Sequence, residues 1–339
     1  MSKTKVGIAG FGVIGQRLAD GVAMQEDMEL VGVADVAATL PVRALAEKGM
    51  PYKLFTAAPG AEAGLTAAGI PISGTFDDLL GEVDIMLDAA PGGIGAKNKE
   101  KYVAAGVKAV FQGGEAGSVA DVFFHGYANY PKGVGKDYLK LTSCNTTGLI
   151  RTIHALDQAV GVEKIAITII RRIADPGDTF RGVVDSLIME AIPNHQAVDL
   201  MEIMPHVNAT GLLVHTPITH GHIISIVATP KAKLSKAETV EVFEAHPRIR
   251  VVKIADGFET NTSLFNYARF LGKPRGDMYE VGLFDETIGH SGDDLMFAIN
   301  IPQESVTIPE TIDAIRAAMP MQEDQAEAVG LTNQYLGMG

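Results

Sequence analysis

The chain has one cysteine and no tryptophan in 339 residues. A single cysteine excludes an intramolecular disulfide framework and fits a reducing compartment, so a cytoplasmic location is expected. Aromatic residues make up only 6%, and the thirteen methionines are most simply core filler. Basic side chains are scarce as well. Against 41 Asp and Glu there are 28 Lys and Arg, a formal charge of −13. That balance excludes broad attraction to nucleic acid or to an anionic membrane surface. No apolar run is long enough to span a bilayer, and the opening MSKTKVGIAG lacks the long apolar core of a secretory signal. Tandem repeats, low-complexity tracts and evident linkers are absent. What remains is a chain 47% hydrophobic, ample for a packed core, with a length that fits two domains.

The first of these opens with a short apolar strand, Lys5 to Ala9, followed by Gly10-Phe11-Gly12-Val13-Ile14-Gly15. Helical spacing then runs from Gln16 to Met24, and a second strand from Glu29 to Ala34 ends at Asp35. Strand, GxGxxG, helix, strand and acidic residue in that order form the dinucleotide-binding unit. Its glycines permit a tight turn and let a pyrophosphate approach backbone N–H groups at a helix N-terminus. Two more apolar strands each lead into a glycine-containing loop, Ala90-Pro91-Gly92-Gly93 and Gln112-Gly113-Gly114. Such loops line the carboxyl edge of a parallel sheet, where cofactors bind, although each glycine serves equally well as a plain turn.

Cys144 lies in Ser143-Cys144-Asn145-Thr146-Thr147-Gly148, at a predicted strand-to-helix junction. The N–H groups and dipole of a helix N-terminus favour thiolate over thiol, and a thiolate attacks electrophilic carbon. The bland alternative is a small buried hydrophobe. After Gly161 the pattern becomes β-rich, with runs at Ile165–Ile170, Gly211–His215, His222–Ala228, Val251–Ile254 and Met296–Ile301. This predicts an α+β domain on a mostly antiparallel sheet. Pro309 to Met319 is helical and is expected to pack back on the first domain.

Arg171-Arg172 ends one apolar run. Adjacent residues of a strand face opposite ways, so one arginine would face a site and the other pair with a carboxylate. Phosphate binding by one of them and two structural ion pairs are equal readings. Asp175-Pro176 behind them reads as a turn. His220 and His222 share a face if both lie on a strand. One imidazole near Cys144 would hold the thiolate and act as acid–base catalyst. Metal ligation by His215, His220 and His222 is a rival, with no second cysteine or carboxylate cluster to join it, and a structural role is another. His195, in Pro193-Asn194-His195-Gln196, is by itself a surface loop residue.

Taken together, the segments GFGVIGQRLAD, GIGAKNKEKYVAAGVKAVFQGGE, SCNTTGLIRTIHALDQAVGVEK, RRIADP, LGKPRGDMYEV and PQESVTIPETIDAIRAAM resemble the archaeal-type (type II) phosphorylating glyceraldehyde-3-phosphate dehydrogenases, in order over nearly the whole chain. The resemblance implies a homotetramer. It implies a Rossmann domain over residues 1–140 and 303–339 and a catalytic domain over 141–302. It implies oxidation of glyceraldehyde 3-phosphate with inorganic phosphate and NAD(P)⁺ to 1,3-bisphosphoglycerate, in glycolysis or gluconeogenesis. Carried over by position, Cys144 is the nucleophile, flanked by Ser143 and Asn145. His220 aligns with the catalytic histidine and His222 follows it. Ser143, Asn145, Thr146, Arg171, Arg172 and His195 line the site for the substrate and its phosphate groups. Gly10 to Gly15, Asp35, Pro91, Gly92, Gly113 and Gln303 fall along the cofactor. No metal is expected.

Three departures stand out. The family's Thr-Lys-Thr after the second strand is Ala34-Asp35-Val36 here, and an acidic residue there bonds ribose hydroxyls and repels a 2′-phosphate, so NAD⁺ is expected over NADP⁺. The 176–219 segment is shortened and divergent, and Thr216-Pro217-Ile218-Thr219 replaces the usual approach to His-x-His. The acid–base assignment between His220 and His222 stays open on these grounds. The nearest alternatives are another cysteine-dependent semialdehyde dehydrogenase and a non-catalytic NAD-binding redox sensor.

Overall fold

The computed structural model describes residues 2–112, 114–172 and 187–338, so Gly113 and Asp175-Pro176 lie outside the described residues. The chain divides into two compact units, Met1–Thr142 with Ile308–Gly337, and Ser143–Thr307 with Met338–Gly339.

The first unit is built on eight parallel strands: β1 (Thr4–Ala9), β2 (Met28–Asp35), β3 (Lys53–Thr56), β4 (Gly74–Thr75), β5 (Ile85–Asp88), β6 (Lys108–Phe111), β7 (Val122–Phe124) and β8 (Tyr138–Leu141). The inner strands are near-continuous apolar runs because helices cover both faces of a parallel sheet. Their order is β4-β3-β2-β1-β5-β6-β8-β7. Chain direction across the sheet reverses between β1 and β5, and in such folds the crevice at that reversal receives the ligand. The helices Val13–Ala23 and Ile94–Ala105 start just beyond those two strands. Gly15 is required there by close approach, since an added Cβ would overlap the Gly10 carbonyl oxygen.

Ile308–Ala318, the helix expected from Pro309 to Met319, is buried on every side and packs against helices Val13–Ala23, Gly126–Gly133 and Gln325–Tyr335. Its buried charge is met locally. Arg316 donates to both carboxylate oxygens of Asp27, to Gln25 and to Thr332.

The second unit carries β9 (Val162–Arg172), β10 (Ile188–Met189), β11 (Asn208–Thr216), β12 (His222–Pro230), β13 (Ile249–Val252), β14 (Val281–Phe284), β15 (Gly289–Ser291) and β16 (Asp294–Ile301). The order is β10-β11-β9-β12-β16-β14-β13, with β15 paired to β16. Most pairs are antiparallel, as the sequence implied. The exceptions are β11 with β9 and β13 with β14. Parallel pairs need crossover connections, and helices His195–Ile203 and Ser263–Phe270 lie within those two. One face of the sheet buries Ile165, Ile167 and Ile169 of β9 beside Ile224, Ile226 and Ala228 of β12. The helix Cys144–Val160 packs on these strands. Gly148 permits close approach to β16, because a Cβ there would overlap Ile301.

Candidate active site

Ser143 starts the Cys144–Val160 helix as an N-cap. Its Oγ accepts from the Thr146 N–H at 3.4 Å and lies 2.9 Å from Thr146 Oγ1. The predicted phosphate neighbours Ser143 and Thr146 are therefore engaged in helix capping, and Thr146 Oγ1 also donates to Asp199 Oδ2 at 3.4 Å. Asn145 is buried, and its Oδ1 has no hydrogen-bond partner among the described residues. Cys144, on the first turn, keeps partial exposure.

The imidazole that reaches Cys144 is that of His222. Its Nε2 lies 3.6 Å from Sγ, and the ring is fully buried. The other ring nitrogen, Nδ1, accepts the backbone N–H of Arg172 at 3.1 Å. His220 stands apart from this pair. Its Nδ1 is 2.8 Å from Thr219 Oγ1, and its ring meets Phe265 edge-on at 4.5 Å. The expectation that the two histidines share a strand face is corrected by Gly221, whose φ of +66° turns the chain so that β12 starts only at His222. The resemblance matches His220 to the catalytic histidine, with the choice between the two left open, and the imidazole next to sulfur is that of His222.

The two arginines separate as strand geometry requires. Arg172 is buried and clamped: Nη1 donates to Glu304 Oε1 and to the Thr219 carbonyl, each at 2.7 Å, and Nε donates to Gln303 Oε1. Gln303, expected along the cofactor, is thus a partner of Arg172. Arg171 is only half-buried and forms no ion pair among the described residues. Its charge, with that of Arg172, acts on Cys144 and His222. Glu304 has no local sequence signal, and it joins the site through its contact with Arg172, 132 residues away in the chain.

The electrostatics correct a further expectation. Burial pushes the Cys144 thiol up. Arg171, Arg172 and the backbone N–H groups of Asn145 and Cys144 pull it back without overcoming that cost. A helix N-terminus stabilises a thiolate, but partial desolvation of sulfur outweighs it, so the resting group is a thiol at neutral pH. Burial also drives His222 well below the ordinary imidazole range, helped by Arg172, Arg171 and His215, so this ring is neutral at pH 7. Burial lowers His220 more modestly, against the pull of Glu304. His195 is the exposed first residue of its helix, with Nε2 2.8 Å from Gln196 Nε2. His215 pairs with Glu190 at 2.5 Å.

In the first unit, the helix Val13–Ala23 has Gly12 as N-cap, no side-chain cap and no acidic residue in its first turn. A Cβ on Gly12 would meet open space. The N–H groups of Val13, Ile14 and Gly15 are left without intrahelical partners, the arrangement a pyrophosphate needs. Phe11 belongs to the core instead: its ring meets Tyr52, and its N–H donates to Asp35 Oδ2 at 2.9 Å. Asp35 Oδ1 accepts from Val36 N and Ala37 N at 2.7 and 3.2 Å. Three backbone donors therefore hold this carboxylate beside the glycine turn. The second glycine loop differs. Pro91 and Gly92 are exposed, and the Gly95 N–H at the start of the following helix is already taken by Glu115 Oε1 at 2.9 Å. A protein carboxylate fills the anion position there.

Residues 143–264 match the family described as glyceraldehyde 3-phosphate dehydrogenase, C-terminal domain. Over their full lengths, proteins named glyceraldehyde-3-phosphate dehydrogenase are similar throughout. The one from Methanosarcina mazei is 36% identical over 100% of both chains, and that from Archaeoglobus fulgidus 38% over 100% and 99%. The Thermococcus sibiricus protein is 39% identical over 99% of each. This chain belongs to the glyceraldehyde-3-phosphate dehydrogenase family, on the archaeal side of it. Members of the glyceraldehyde-3-phosphate dehydrogenase family use a nicotinamide cofactor, which the open helix terminus at Gly12 fits. The fold is shared more widely. The crystal structure of aspartate semialdehyde dehydrogenase II from Vibrio cholerae superposes with a TM-score of 0.64 at 12% identity, covering 95% of this chain and 98% of that one.

Proposed function

We propose that this protein is a phosphorylating glyceraldehyde-3-phosphate dehydrogenase, working in glycolysis or gluconeogenesis in the cytoplasm, with Cys144 as nucleophile. The observation that carries the reading is the 3.6 Å approach of His222 Nε2 to Cys144 Sγ, beside Arg171, which has no ion-pair partner among the described residues. Support comes also from relatives of that name along the whole chain.

The Cys144 thiol loses its proton to solvent, and the thiolate adds to the aldehyde carbon. A C–S bond forms, and the carbonyl oxygen becomes an alkoxide. The Asn145 N–H, already directed at sulfur, and His222 Nε2 face this developing charge. When bound, a nicotinamide cofactor would supply the acceptor for the hydride that this carbon loses. Cys144 is then left as a thioester. A phosphate oxygen attacks the thioester carbonyl, the C–S bond breaks, and the thiolate is returned with release of the acyl phosphate. Arg171 supplies the fixed positive charge that holds the phosphate groups, and exposed His195 lies on the helix packed beside the Cys144 helix. Arg172 and Gln303 act within the clamp rather than on substrate.

NAD⁺ is the preferred cofactor. Asp35, pinned by the N–H groups of Phe11, Val36 and Ala37, offers its free lone pairs to ribose hydroxyls and repels a 2′-phosphate. The assembly is a homotetramer, to be read by light scattering. The deciding assay follows NAD⁺ and NADP⁺ reduction with glyceraldehyde 3-phosphate, with and without inorganic phosphate. Phosphate-dependent turnover with NAD⁺ favoured supports the reading. Turnover indifferent to phosphate, or confined to another semialdehyde, defeats it.

A further inference from the structure

We infer that Asp88 is a positioning residue for the dinucleotide: it fixes the peptide that begins the second glycine loop, and so shapes the side of the crevice opposite the Gly10 turn. The inference rests on a nicotinamide dinucleotide entering that crevice.

Asp88 is the last residue of β5 and pairs with Ala9 of β1, where the strand order reverses. The ladder runs one residue further, with the Ala89 N–H donating to the Ala9 carbonyl at 2.8 Å. The chain then leaves the sheet as Ala90-Pro91-Gly92-Gly93 and enters the helix Ile94–Ala105. Loops at such a reversal form the two sides of a ligand crevice. Here the two sides touch. A Cβ on Gly10 would lie 2.9 Å from the Ala89 carbonyl oxygen and 3.1 Å from the Ala90 nitrogen, so the first turn packs on the Ala89–Ala90 peptide.

Asp88 holds that peptide. Its Oδ1 accepts the Ala90 N–H at 3.1 Å. A trans peptide is planar, so fixing its N–H also fixes the direction of the Ala89 carbonyl. The other oxygen, Oδ2, accepts from the Tyr102 hydroxyl at 2.6 Å and from Asn98 Nδ2 at 2.9 Å. These two donors are four residues apart, on one face of the helix that follows the loop. One carboxylate thus ties the first peptide of the loop to the helix at its far end. A carboxylate accepts at both oxygens, whereas an amide of the same shape is itself a donor at one end.

The position is an expensive one for a charge. Asp88 is 2% exposed, Tyr102 is fully buried, and no cation pairs with the carboxylate among the described residues. Burial pushes the Asp88 carboxyl up, the three donors oppose that, and the Glu115 charge adds to it. A neutral side chain would fill the same volume without this desolvation. What the carboxylate adds is three directed bonds, and their product is one loop geometry. A loop already held in its bound shape spares the ordering that binding would otherwise require.

The test is isothermal titration calorimetry of NAD⁺ and NADP⁺ against the full-length protein, without aldehyde or phosphate, beside a denaturant titration of each variant. Asp88→Asn keeps the shape but sets an NH₂ against either the Ala90 N–H or the Tyr102 and Asn98 donors, so one side of the tie is lost. It should weaken binding of the preferred dinucleotide about tenfold, the value of one hydrogen bond, while the unfolding midpoint holds or rises. Tyr102→Phe keeps the ring and deletes one donor, and should weaken binding about threefold. Combining Asp88→Asn with Asn98→Asp returns an acceptor to face the new NH₂. It should recover most of the lost affinity, a rescue that general damage to the fold would not show. Unchanged affinity in Asp88→Asn, or a loss that follows the unfolding midpoint and is not rescued, overturns the inference. Should Asp88→Asn not fold, unchanged affinity in Tyr102→Phe overturns it and weakened affinity at an unchanged midpoint supports it. No turnover is measured, so the result is separable from the proposed activity. Weakened, rescuable binding without oxidation of glyceraldehyde 3-phosphate would keep the inference and remove the function. Turnover of that aldehyde with Asp88→Asn binding as tightly as the unaltered protein would do the reverse.

Discussion

The two units build their sites in opposite ways. In the first, the anion-binding feature is backbone: the helix after Gly12 leaves its first N–H groups open, and the residues that shape it lie within Gly10 to Asp35. In the second, the site is made of side chains from distant places. Cys144, Arg171, Arg172, His222, Gln303 and Glu304 come from one helix, two strands and the loop after β16. The first kind of site tolerates change in side chains but not in backbone shape. The second is exposed to the loss of any one partner.

Cys144→Ser should produce the largest effect. It removes the nucleophile and is expected to lower aldehyde oxidation by about 10⁴-fold. NAD⁺ binding, measured by fluorescence titration, should be unchanged, since the cofactor feature is backbone in the other unit. Joint loss of binding and turnover would break the contrast.

The arginine pair gives the next effect. Arg172→Ala removes the buried Arg172–Glu304 ion pair and should cost about 3 kcal/mol of stability in a denaturant titration. Arg171→Ala should leave the unfolding midpoint in place, yet raise KM for the phosphorylated aldehyde about 10- to 100-fold, the value of one or two hydrogen bonds to a charged group. Equal stability losses for both would erase the division of labour between them.

In the first unit, Gly15→Ala tests the backbone claim. Its Cβ would overlap the Gly10 carbonyl oxygen, and overpacking of this kind costs about 1–3 kcal/mol, seen as a lower unfolding midpoint together with weaker NAD⁺ binding. Asp35→Ala sharpens the same point. The ratio of kcat/KM for NAD⁺ over NADP⁺ should fall about tenfold as a like charge is removed from the ribose site.

The smallest effect concerns pH. The Cys144 pKa is raised by burial, so the thiol form persists above neutrality and the thiolate appears only as pH climbs through the raised value. Alkylation of Cys144 by iodoacetamide should be slow at pH 7 and accelerate about tenfold per pH unit on the alkaline side. A plateau already reached at pH 7 would mean that the helix N-terminus and the two arginines prevail over burial.

The same contrast decides what was legible in the sequence. The glycine turn, its helix and Asp35 are contiguous, so spacing alone revealed the Rossmann half. Alternating apolar runs gave the second sheet but not its two parallel pairs, which depend on where the crossover helices fall. At the active site, the helix start at Cys144 was readable, whereas its pKa was not, because desolvation is set by packing from elsewhere. The resemblance matches His220 to the catalytic histidine, and a common strand would put both rings on one face. The left-handed turn at Gly221, between them, separates the two. Nothing near Glu304 announces a carboxylate meant for Arg172. Tertiary pairing across more than a hundred residues leaves no local pattern.

The most direct test of the central claim is mass spectrometry of the protein incubated with glyceraldehyde 3-phosphate and NAD⁺ in the absence of phosphate. The account predicts a phosphoglyceroyl thioester on the peptide bearing Cys144, discharged when inorganic phosphate is added. An unmodified Cys144 during turnover, or an acyl group on another side chain, would contradict it.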